Sequence, residues 1–487
     1  MTTPFSRRES AGFAPNARRR GTFRPLLALA LLTLTALPCL AAADLPALWS
    51  DRVKSVVAVD FFTETELGRQ PTTVSGLVAD ANGTIALPPD TVGPRLTPAQ
   101  LKDFHVHIPG EPSETFAKAD YLGQDGLSGW HFIRVEEKLR ARLTPVTTFS
   151  PPAGTGEPAA GEEVWGIGLR GKDEDYTPYL LTAKVSMVQS LPERTAVALA
   201  EVAAPGLPVF NHDGAFQGVA VGGFGSSYVE FSRAQRSGMP IMLIDPEESR
   251  VFQLASAVIP WLARVPGDVH GRPIPWFGAY GLESMDPEVA SFLNLVNQSG
   301  CVVSEVLEGS PAETAGLKPR DIIVAVDGKP LPRLKPDRVA VDYFERQIDI
   351  RKPGDKFAFT VLRGTERVEL TATLSDEPKL AREADRKYFE NLGLTVREFV
   401  FGDGVVRRVK HADQTGVIAH FVKTNTPVSA AGLGADDWIQ EIDGVPVKTF
   451  AEAVAKLAAI DGDPTRTEFV MLISRGGETQ VLRVKLK

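Results

Sequence analysis

The chain has 487 residues, among them 43 glycines and 37 prolines, and 61 acidic against 53 basic residues give a net charge of −8. That length predicts about three domains. The glycine and proline content favours a loop-rich, mainly β protein over a helical bundle. The acidic balance gives no reason to expect a nucleic-acid partner.

The first segment, 1–43, is predicted to be a secretory signal peptide. Basic residues precede an apolar run at 26–37, and small residues at 41–44 form an A-x-A type cleavage signal. An uncleaved signal that anchors the protein in a membrane is the alternative. Export predicts a periplasmic or otherwise extracytoplasmic location. Cleavage would leave Cys301 alone, so no internal disulfide is expected and Cys301 is predicted to be a buried core thiol.

The region 45–262 consists of short apolar runs separated by Gly, Pro and Asp turns, which predicts an all-β barrel or sandwich. A loop at 149–163 divides it in two, and 248–265 is predicted to be a helix. His105 and His107 alternate along one strand and could hold a metal, but no third ligand follows at a recognisable spacing. A solvated strand face is therefore expected there, and no metal site is predicted.

A sequence repeat is the most specific internal signal. Residues 309–331 read GSPAETAGLKPRDIIVAVDGKPL and residues 425–447 read NTPVSAAGLGADDWIQEIDGVPV. In each copy the proline is predicted to open a short helix and the Ala-Gly-Leu glycine to close it. Asp-x-Ile then begins a strand, and Asp-Gly forms a tight turn.

This repeat resembles the PDZ domain in its bacterial strand order, over residues 270–375 and 390–487. The resemblance implies that each copy adds an extended peptide, often a C-terminus, as a strand at a sheet edge. A glycine-containing loop would hold the peptide carboxylate with backbone N–H groups. The matching loops are 276-WFGA-279 and 391-NLGL-394. The predicted peptide-binding residues are Phe277, Gly278, Ala279, Tyr280, Leu282, Leu392, Gly393, Leu394, Val396, Phe450 and Val454.

A helix is predicted to flank each groove, at 339–348 in the first copy and at 450–460 in the second, where apolar residues follow helical spacing. Between the copies, the segment 376–389 is charged and rich in helix-forming residues. It is predicted to be an exposed helical linker.

A β-rich exported domain followed by two PDZ copies resembles the HtrA/DegP family of trypsin-like serine proteases. The stretches 74–92, 123–135 and 201–214 are similar to the segments that carry that family's triad, and 164–169 is similar to a further motif of the family. The resemblance implies a trypsin-like double β-barrel followed by two α+β PDZ domains. At the matched positions, however, the histidine is replaced by Asp90, the aspartate by Gly129 and the serine by Pro205. Proline also lacks the N–H that an oxyanion hole requires.

These features predict an HtrA-like pseudoprotease that binds C-termini or extended segments of envelope proteins as a scaffold, adaptor or chaperone-like holder. The alternatives are an active HtrA-like serine endopeptidase, with its catalytic residues elsewhere, and an inactive regulatory subunit of a catalytic relative. The resemblance implies a homotrimer or a mixed oligomer with such a relative. No organic cofactor and no metal is predicted.

Overall fold

The computed structural model describes residues 45–486 apart from 152–155, 190–193, 222–227, 232–239, 245–249, 336 and 411–412. The predicted signal peptide, 1–43, lies outside the described residues. Within the described part, no helix combines the length and the apolar character needed to cross a membrane.

Fourteen strands and three helices form the first half of the described chain. The strands are β1 Val56–Thr65, β2 Gly68–Val78, β3 Thr84–Leu87, β4 Leu101–His107, β5 Ala117–Gln124, β6 His131–Val135, β7 Glu163–Leu169, β8 Pro178–Gln189, β9 Thr195–Ala198, β10 Pro208–Asn211, β11 Phe216–Ala220, β12 Tyr228–Phe231, β13 Pro240–Ile244 and β14 Val251–Leu254. The helices are α1 Leu45–Arg52, α2 Glu137–Arg140 and α3 Ala255–Leu262.

Twelve of these strands close into two six-stranded antiparallel barrels, which is the predicted trypsin-like arrangement, and β12 and β13 form a separate two-stranded sheet. The first has the order β1-β2-β3-β6-β5-β4 and the second β10-β11-β14-β9-β8-β7. In β1, Val57, Val59 and Phe61 point into the first barrel, whereas Val56 joins the core that the second barrel shares. This follows from the two-residue period of a strand, which sends alternate side chains to opposite faces.

The helix predicted at 248–265 is wrong in its first part, because 251–254 forms strand β14 and α3 covers only 255–262. Gln253 pairs with Val219 of β11, and Phe252 is fully buried. Pairing with both β11 and β9 closes the second barrel, so the partner strands outweigh the local helix-forming pattern.

The second half contains two β-rich modules built in the same order. The first module has β15 Pro275–Trp276, β16 Ala279–Tyr280, β17 Glu283–Ser284, β18 Cys301–Val302, β19 Glu305–Val306, β20 Ile322–Val326, β21 Lys329–Pro330, β22 Lys356–Arg363, β23 Glu366–Thr373 and β24 Ser375–Asp376, with helices α4 Pro287–Phe292, α5 Pro311–Thr314 and α6 Val339–Asp349. The second module has β25 Arg386–Phe389, β26 Leu394–Glu398, β27 Val417–Val422, β28 Trp438–Ile442, β29 Val445–Pro446, β30 Glu468–Arg475 and β31 Glu478–Lys485, with helices α7 Phe401–Arg407, α8 Pro427–Ala430 and α9 Phe450–Asp461.

The repeat folds as its motif predicts. Each Asp-Gly pair has both residues at positive φ and closes a two-residue hairpin, between Val326 and Lys329 in one copy and between Ile442 and Val445 in the other. Cys301 is fully buried, as expected, and its Sγ lies 3.4 Å from the carbonyl oxygen of Ala340 on α6.

The aspartate of Asp-x-Ile makes an ion pair that the sequence pattern does not reveal. Asp321 is 1% exposed and Asp437 is 2% exposed. Arg363 donates to both carboxylate oxygens of Asp321, and Arg475 does the same to Asp437. Each carboxylate also accepts a main-chain N–H three residues earlier, so both copies contain a buried, fully bonded carboxylate paired with a partly exposed guanidinium.

The helical linker predicted at 376–389 is also wrong. Turns occupy 381–384, and 386–389 forms strand β25, which pairs with β26. Phe389 is 2% exposed and belongs to the core of the second module. Burial of this ring and the hydrogen bonds of an open sheet edge stabilise the strand over the helix that the charged sequence favours.

Candidate functional site

The three positions matched to the protease triad lie close together. A cavity of about 250 Å³ is lined by Asp90, by Pro205 and by the residues on either side of Gly129, Ser128 and Trp130. These residues come from the end of β3, the turn before β6 and the turn before β10. The convergence of these positions supports the sequence match. Their side chains are a carboxylate at Asp90, a hydrogen atom at Gly129 and a pyrrolidine ring at Pro205, in place of an imidazole, a carboxylate and a hydroxyl.

Two prolines narrow this cleft. A Cβ added to Gly206 would lie 2.4 Å from Pro88 Cγ, and one added to Gly129 would lie 3.2 Å from Pro89 Cβ. Both glycines have positive φ, +82° and +72°, where side chains are strained. The positions that would flank a nucleophile and carry an orienting carboxylate therefore have little room for a side chain.

A hydroxyl and an imidazole close to these positions, those of Ser128 and His131, serve the fold. Ser128 Oγ donates to Asp125 Oδ2 at 2.7 Å, and Arg264 Nε binds the same carboxylate at 3.0 Å. His131, 3% exposed, accepts or donates a 2.8 Å hydrogen bond between Nδ1 and Tyr121 Oη. Its Nε2 faces the Pro89 carbonyl without a well-formed hydrogen bond. Burial lowers the pKa of His131 to about 4, so the ring is neutral at pH 7.

The paired histidines of β4 do not form the solvated face that the sequence favoured. His107 is 1% exposed, and its Nε2 lies 2.7 Å from Asp60 Oδ1 at an angle poor for a hydrogen bond. Lys172 Nζ and Tyr176 Oη donate to the same carboxylate at 2.7 and 3.0 Å. The loop between β7 and β8 thus fastens the second barrel to the first through Asp60. His105 stacks on Phe116 instead, with ring centroids 3.9 Å apart.

The first module presents an open groove, which we call the first groove. Its floor and walls include Phe277, Leu282 and Ile348, and its volume is about 700 Å³. Strand β16 pairs with β19 on one side, and no described strand pairs with its other edge. That edge faces the cavity next to α6, which is the arrangement that strand addition by a peptide requires.

The loop at the end of the first groove offers unoccupied donors. Gly278 has φ +86°, and its Cβ-free surface lies against Ser310. The carbonyl of Gly278 accepts from Leu307, and that of Phe277 accepts from Ala312, both at 2.9 Å. Among the described residues, the N–H groups of Phe277 and Gly278 meet no hydrogen-bond acceptor. Adjacent free N–H groups of this kind form an anion-binding nest.

The corresponding groove of the second module is filled by the chain itself. Strand β26 pairs with β27 on one side and with β25 on the other, so it has no free edge. Strand β25 also contacts α9, and therefore lies between the strand and the helix that would receive a peptide. The loop donors are engaged as well: Gly393 N–H donates to the Phe389 carbonyl and Leu392 N–H to Asp461 Oδ1.

The predicted site residues therefore fall into two groups. One group lines the first groove: Phe277, Gly278, Ala279, Tyr280 and Leu282. In the other group the loop and strand residues are buried, and the α9 residues pack on the second core: Leu392, Gly393, Leu394, Val396, Phe450 and Val454. Peptide binding by the second group stays a prediction, and it requires β25 to move.

A carboxylate that the sequence analysis did not predict accompanies each of the two loops. Asp349 ends α6 and lines the first groove, and Asp461 ends α9 at the matching place. The signal was present, because both helices finish with Ile-Asp, at 348–349 and 460–461. Glu345 and Glu377 also line the first groove.

Comparisons with known proteins agree with this architecture. Residues 302–341 match the PDZ domain model. The chain is 24% identical over 205 residues to a probable periplasmic serine endoprotease DegP-like from Chlamydia trachomatis, covering 42% of this chain and 38% of the relative. It is 31% identical over 182 residues to the periplasmic pH-dependent serine endoprotease DegQ of Escherichia coli, covering 37% and 36%. The matched stretches thus span less than two-fifths of these relatives' own lengths.

Among solved structures, the HtrA-type protease AlgW with decapeptide aligns at 17% identity, over 68% of this chain and 98% of that one, with a TM-score of 0.46. In this chain, two closed six-stranded barrels, as in a trypsin-like double barrel, precede two repeated β-rich modules, and the first module contains the segment that matches the PDZ domain model. Over less than half of its length, the chain is thus similar in sequence to DegP-like and DegQ endoproteases.

Proposed function

We propose that the protein is an extracytoplasmic pseudoprotease that binds C-termini or extended segments of other proteins and holds them without cutting them. The observation that carries the proposal is the contrast between two places in one chain. At the three matched positions, Asp90, Gly129 and Pro205 replace the imidazole, the orienting carboxylate and the hydroxyl that acyl transfer needs, whereas among the described residues the first groove keeps a free strand edge and free loop donors.

The loss of catalysis is argued from chemistry. Pro205 supplies neither a nucleophile nor a main-chain donor for an oxyanion, and one such donor is worth about 10²–10³ in rate. The neutral His131 is bonded to Tyr121 and faces Pro89, so it is not placed to deprotonate a hydroxyl. Ser128 is bonded to Asp125, whose other neighbour is Arg264.

The binding role is argued from the first groove. An extended peptide can continue the sheet at β16, place an apolar side chain on Phe277 and Ile348, and direct a terminal carboxylate to the loop. Relatives of this chain are named as periplasmic endoproteases. From these relatives we infer that this protein also lies outside the cytoplasm and binds polypeptides. We do not infer that it cleaves them.

Two measurements on the purified full-length protein test the proposal. Fluorescence anisotropy with a library of C-terminal peptides is expected to find binders, and a casein assay with a fluorophosphonate label is expected to show neither cleavage nor a labelled serine. Absence of binding across the library would remove the holding role. A labelled serine whose substitution abolishes casein cleavage would instead establish an active endopeptidase. Co-purification with a catalytic relative would favour a regulatory subunit.

A further inference from the structure

We propose that the first groove selects peptides that carry a Lys or Arg side chain close to an apolar C-terminal residue. This inference rests on the proposed peptide-binding function and specifies its ligand. The groove is the place defined above, bounded by β16, by α6 and by the loop at Gly278, with α7 of the second module along its rim. The carboxylates that line this groove indicate which peptides it binds.

Besides Asp403, which is paired with Arg397 and Arg407, three carboxylates line the first groove: Glu345, Asp349 and Glu377. Within the described residues, their side-chain oxygens take part in no ion pair and accept no hydrogen bond. Burial raises the pKa of all three, and the neighbouring Asp349 and Asp342 raise the pKa of Glu345 further. Arg272 and Arg382 lower the pKa of Glu377 without overcoming the effect of its burial. Both cations are bonded to other groups, Arg272 to Glu383 and Arg382 to Gln124.

The cations nearest to the groove are engaged elsewhere. Lys379 lines the cavity but binds Glu398, and Arg264 is held by Asp125. Arg346 lies over the ring of Trp261, 5.5 Å from its centroid. Arg264 and Arg346 lower the pKa of Asp349 without overcoming the effect of its burial. The groove therefore has a negative wall that a cationic side chain of a ligand can neutralise.

Glu345 is the residue expected to form an ion pair with the Lys or Arg side chain of the peptide. It lies on α6 one turn before Asp349, away from the loop that would hold the terminal carboxylate. No neighbouring cation contributes to its pKa. A basic side chain upstream of the peptide terminus would lie along α6 and reach Glu345, since a peptide added to β16 runs beside that helix.

The second module supplies an internal example of an occupant. The segment that fills its groove reads Arg-Lys-Tyr-Phe, residues 386–389, and it places Phe389 in the core. Because the two modules share one repeat, this sequence is a reasonable probe for the groove that stays open. We therefore choose Gly-Ser-Arg-Lys-Tyr-Phe with a free C-terminal carboxylate, carrying fluorescein at its N-terminus.

The experiment compares this peptide with Gly-Ser-Ala-Ala-Tyr-Phe and Gly-Ser-Glu-Glu-Tyr-Phe on the full-length protein at low salt. The basic peptide is expected to bind at least about tenfold more tightly than the acidic one, and the ratio should shrink as salt screens the charges. The variant Glu345→Lys should reverse the preference. Glu369→Lys, on the exposed face of β23, makes the same charge change outside the groove and should leave it intact.

The outcomes separate this inference from the function on which it rests. Equal binding of all three peptides, or a preference that Glu345→Lys does not alter, would overturn the selectivity and leave peptide binding standing. Failure of every peptide, including the wider library, would overturn both. Circular dichroism of Glu345→Lys shows whether the variant folds, and Glu345→Gln, which keeps the side-chain volume, should abolish the preference without reversing it.

Discussion

The main-chain N–H of Leu392 donates to Oδ1 of Asp461 at 3.0 Å, which places a side-chain carboxylate of this chain in the loop that a PDZ domain offers to its ligand. The side-chain amide of Asn391 adds a second bond, to the carbonyl of the same aspartate, at 3.0 Å. Strand β25 completes the arrangement by taking the sheet edge beside it. The second module is thus bound to its own chain, whereas the first keeps its loop open.

Substitution of Asp461 by Ala is expected to destabilise the protein by about 1–3 kcal/mol, because the buried N–H of Leu392 loses its acceptor. Urea unfolding measures the change, and hydrogen exchange should show faster exchange at the Leu392 amide. Asp349→Ala is the matched control. Asp349 accepts no such bond within the described residues, so that variant is expected to stay within about 0.5 kcal/mol of the parent. An equal decrease in the free energy of unfolding of the two variants would contradict a stabilising hydrogen bond from the Leu392 N–H to Asp461.

Restoring the triad residues is expected to give no proteolysis. In the triple variant Asp90→His, Gly129→Asp and Pro205→Ser, the new groups must meet within hydrogen-bond distance, yet Pro88 and Pro89 still pack against Gly206 and position 129. The side chain at position 129 must also adopt φ +72°, at a cost of about 1 kcal/mol. Casein hydrolysis is the measurement, with Pro205→Ala in the same background as its control. Hydrolysis that depends on the new serine would show that the cleft lacks only the triad side chains and that its shape permits catalysis.

Stability is expected to fall between pH 6.5 and pH 4 because His131 is buried as a neutral ring. Its pKa is about 4 in the folded protein, below the usual value near 6.5, so the unfolded chain binds a proton first as the pH falls. Above pH 6.5 both states hold a neutral ring and the free energy of unfolding is unaffected. At pH 4.5 the free energy of unfolding is lower by about 2–3 kcal/mol. Urea unfolding of the parent and of His131→Phe at pH 7 and 4.5 should show a smaller decrease in the variant. Parallel decreases would refute the role of this histidine.

The junction between the barrels is expected to depend on the ionised carboxylate of Asp60. Burial opposes ionisation, but His107 and Lys172 outweigh it and hold the pKa of Asp60 well below its ordinary value. Asp60→Asn should lower the free energy of unfolding by about 1–3 kcal/mol at pH 7. A carboxyl group whose pKa is lowered by folding stabilises the folded state fully at pH values above its unfolded pKa, near 3.9. This stabilisation decreases as the pH falls below that value. The difference between parent and variant should therefore narrow at pH 3, and a constant difference would argue against it.

The paired ion pairs of the repeat allow a test within one molecule. Removing the guanidinium in Arg363→Ala leaves Asp321 buried without its partner, and Arg475→Ala does the same to Asp437. We expect each variant to lower the stability of its own module, since the buried aspartate loses the charge-assisted hydrogen bonds of its partner. Limited proteolysis should cut the affected module first. Arg367→Ala, whose side chain takes part in no described ion pair, is the control and should behave like the parent.

Much of the fold could be predicted from the sequence, because its signals are local. The Asp-Gly turns, the prolines that open α5 and α8, and the apolar spacing of α9 each depend on a few neighbouring residues. The double barrel and the HtrA/DegP-like organisation were also predicted correctly. The convergence of positions 90, 129 and 205 follows from the same matched segments.

What could not be predicted depends on residues far apart in the chain. The segment 386–389 contains Arg, Lys, Tyr and Phe after a charged, helix-forming stretch, and only the open edge of β26 makes it a strand. His107 is buried because a loop from the second barrel brings Lys172 and Tyr176 to Asp60. No pattern along β4 encodes that contact.

The location of Cys301 has a practical consequence. Burial raises the pKa of its thiol to about 12, and its sulfur faces Ala340 inside the first module. The thiol should therefore resist alkylating reagents at neutral pH. The other cysteine of the sequence, Cys39, lies in the predicted signal peptide. With Cys39→Ser, the substitution Tyr280→Cys at an exposed position of the groove could carry a spin label or dye without removal of the buried thiol. Occupancy of the groove could then be followed spectroscopically in solution.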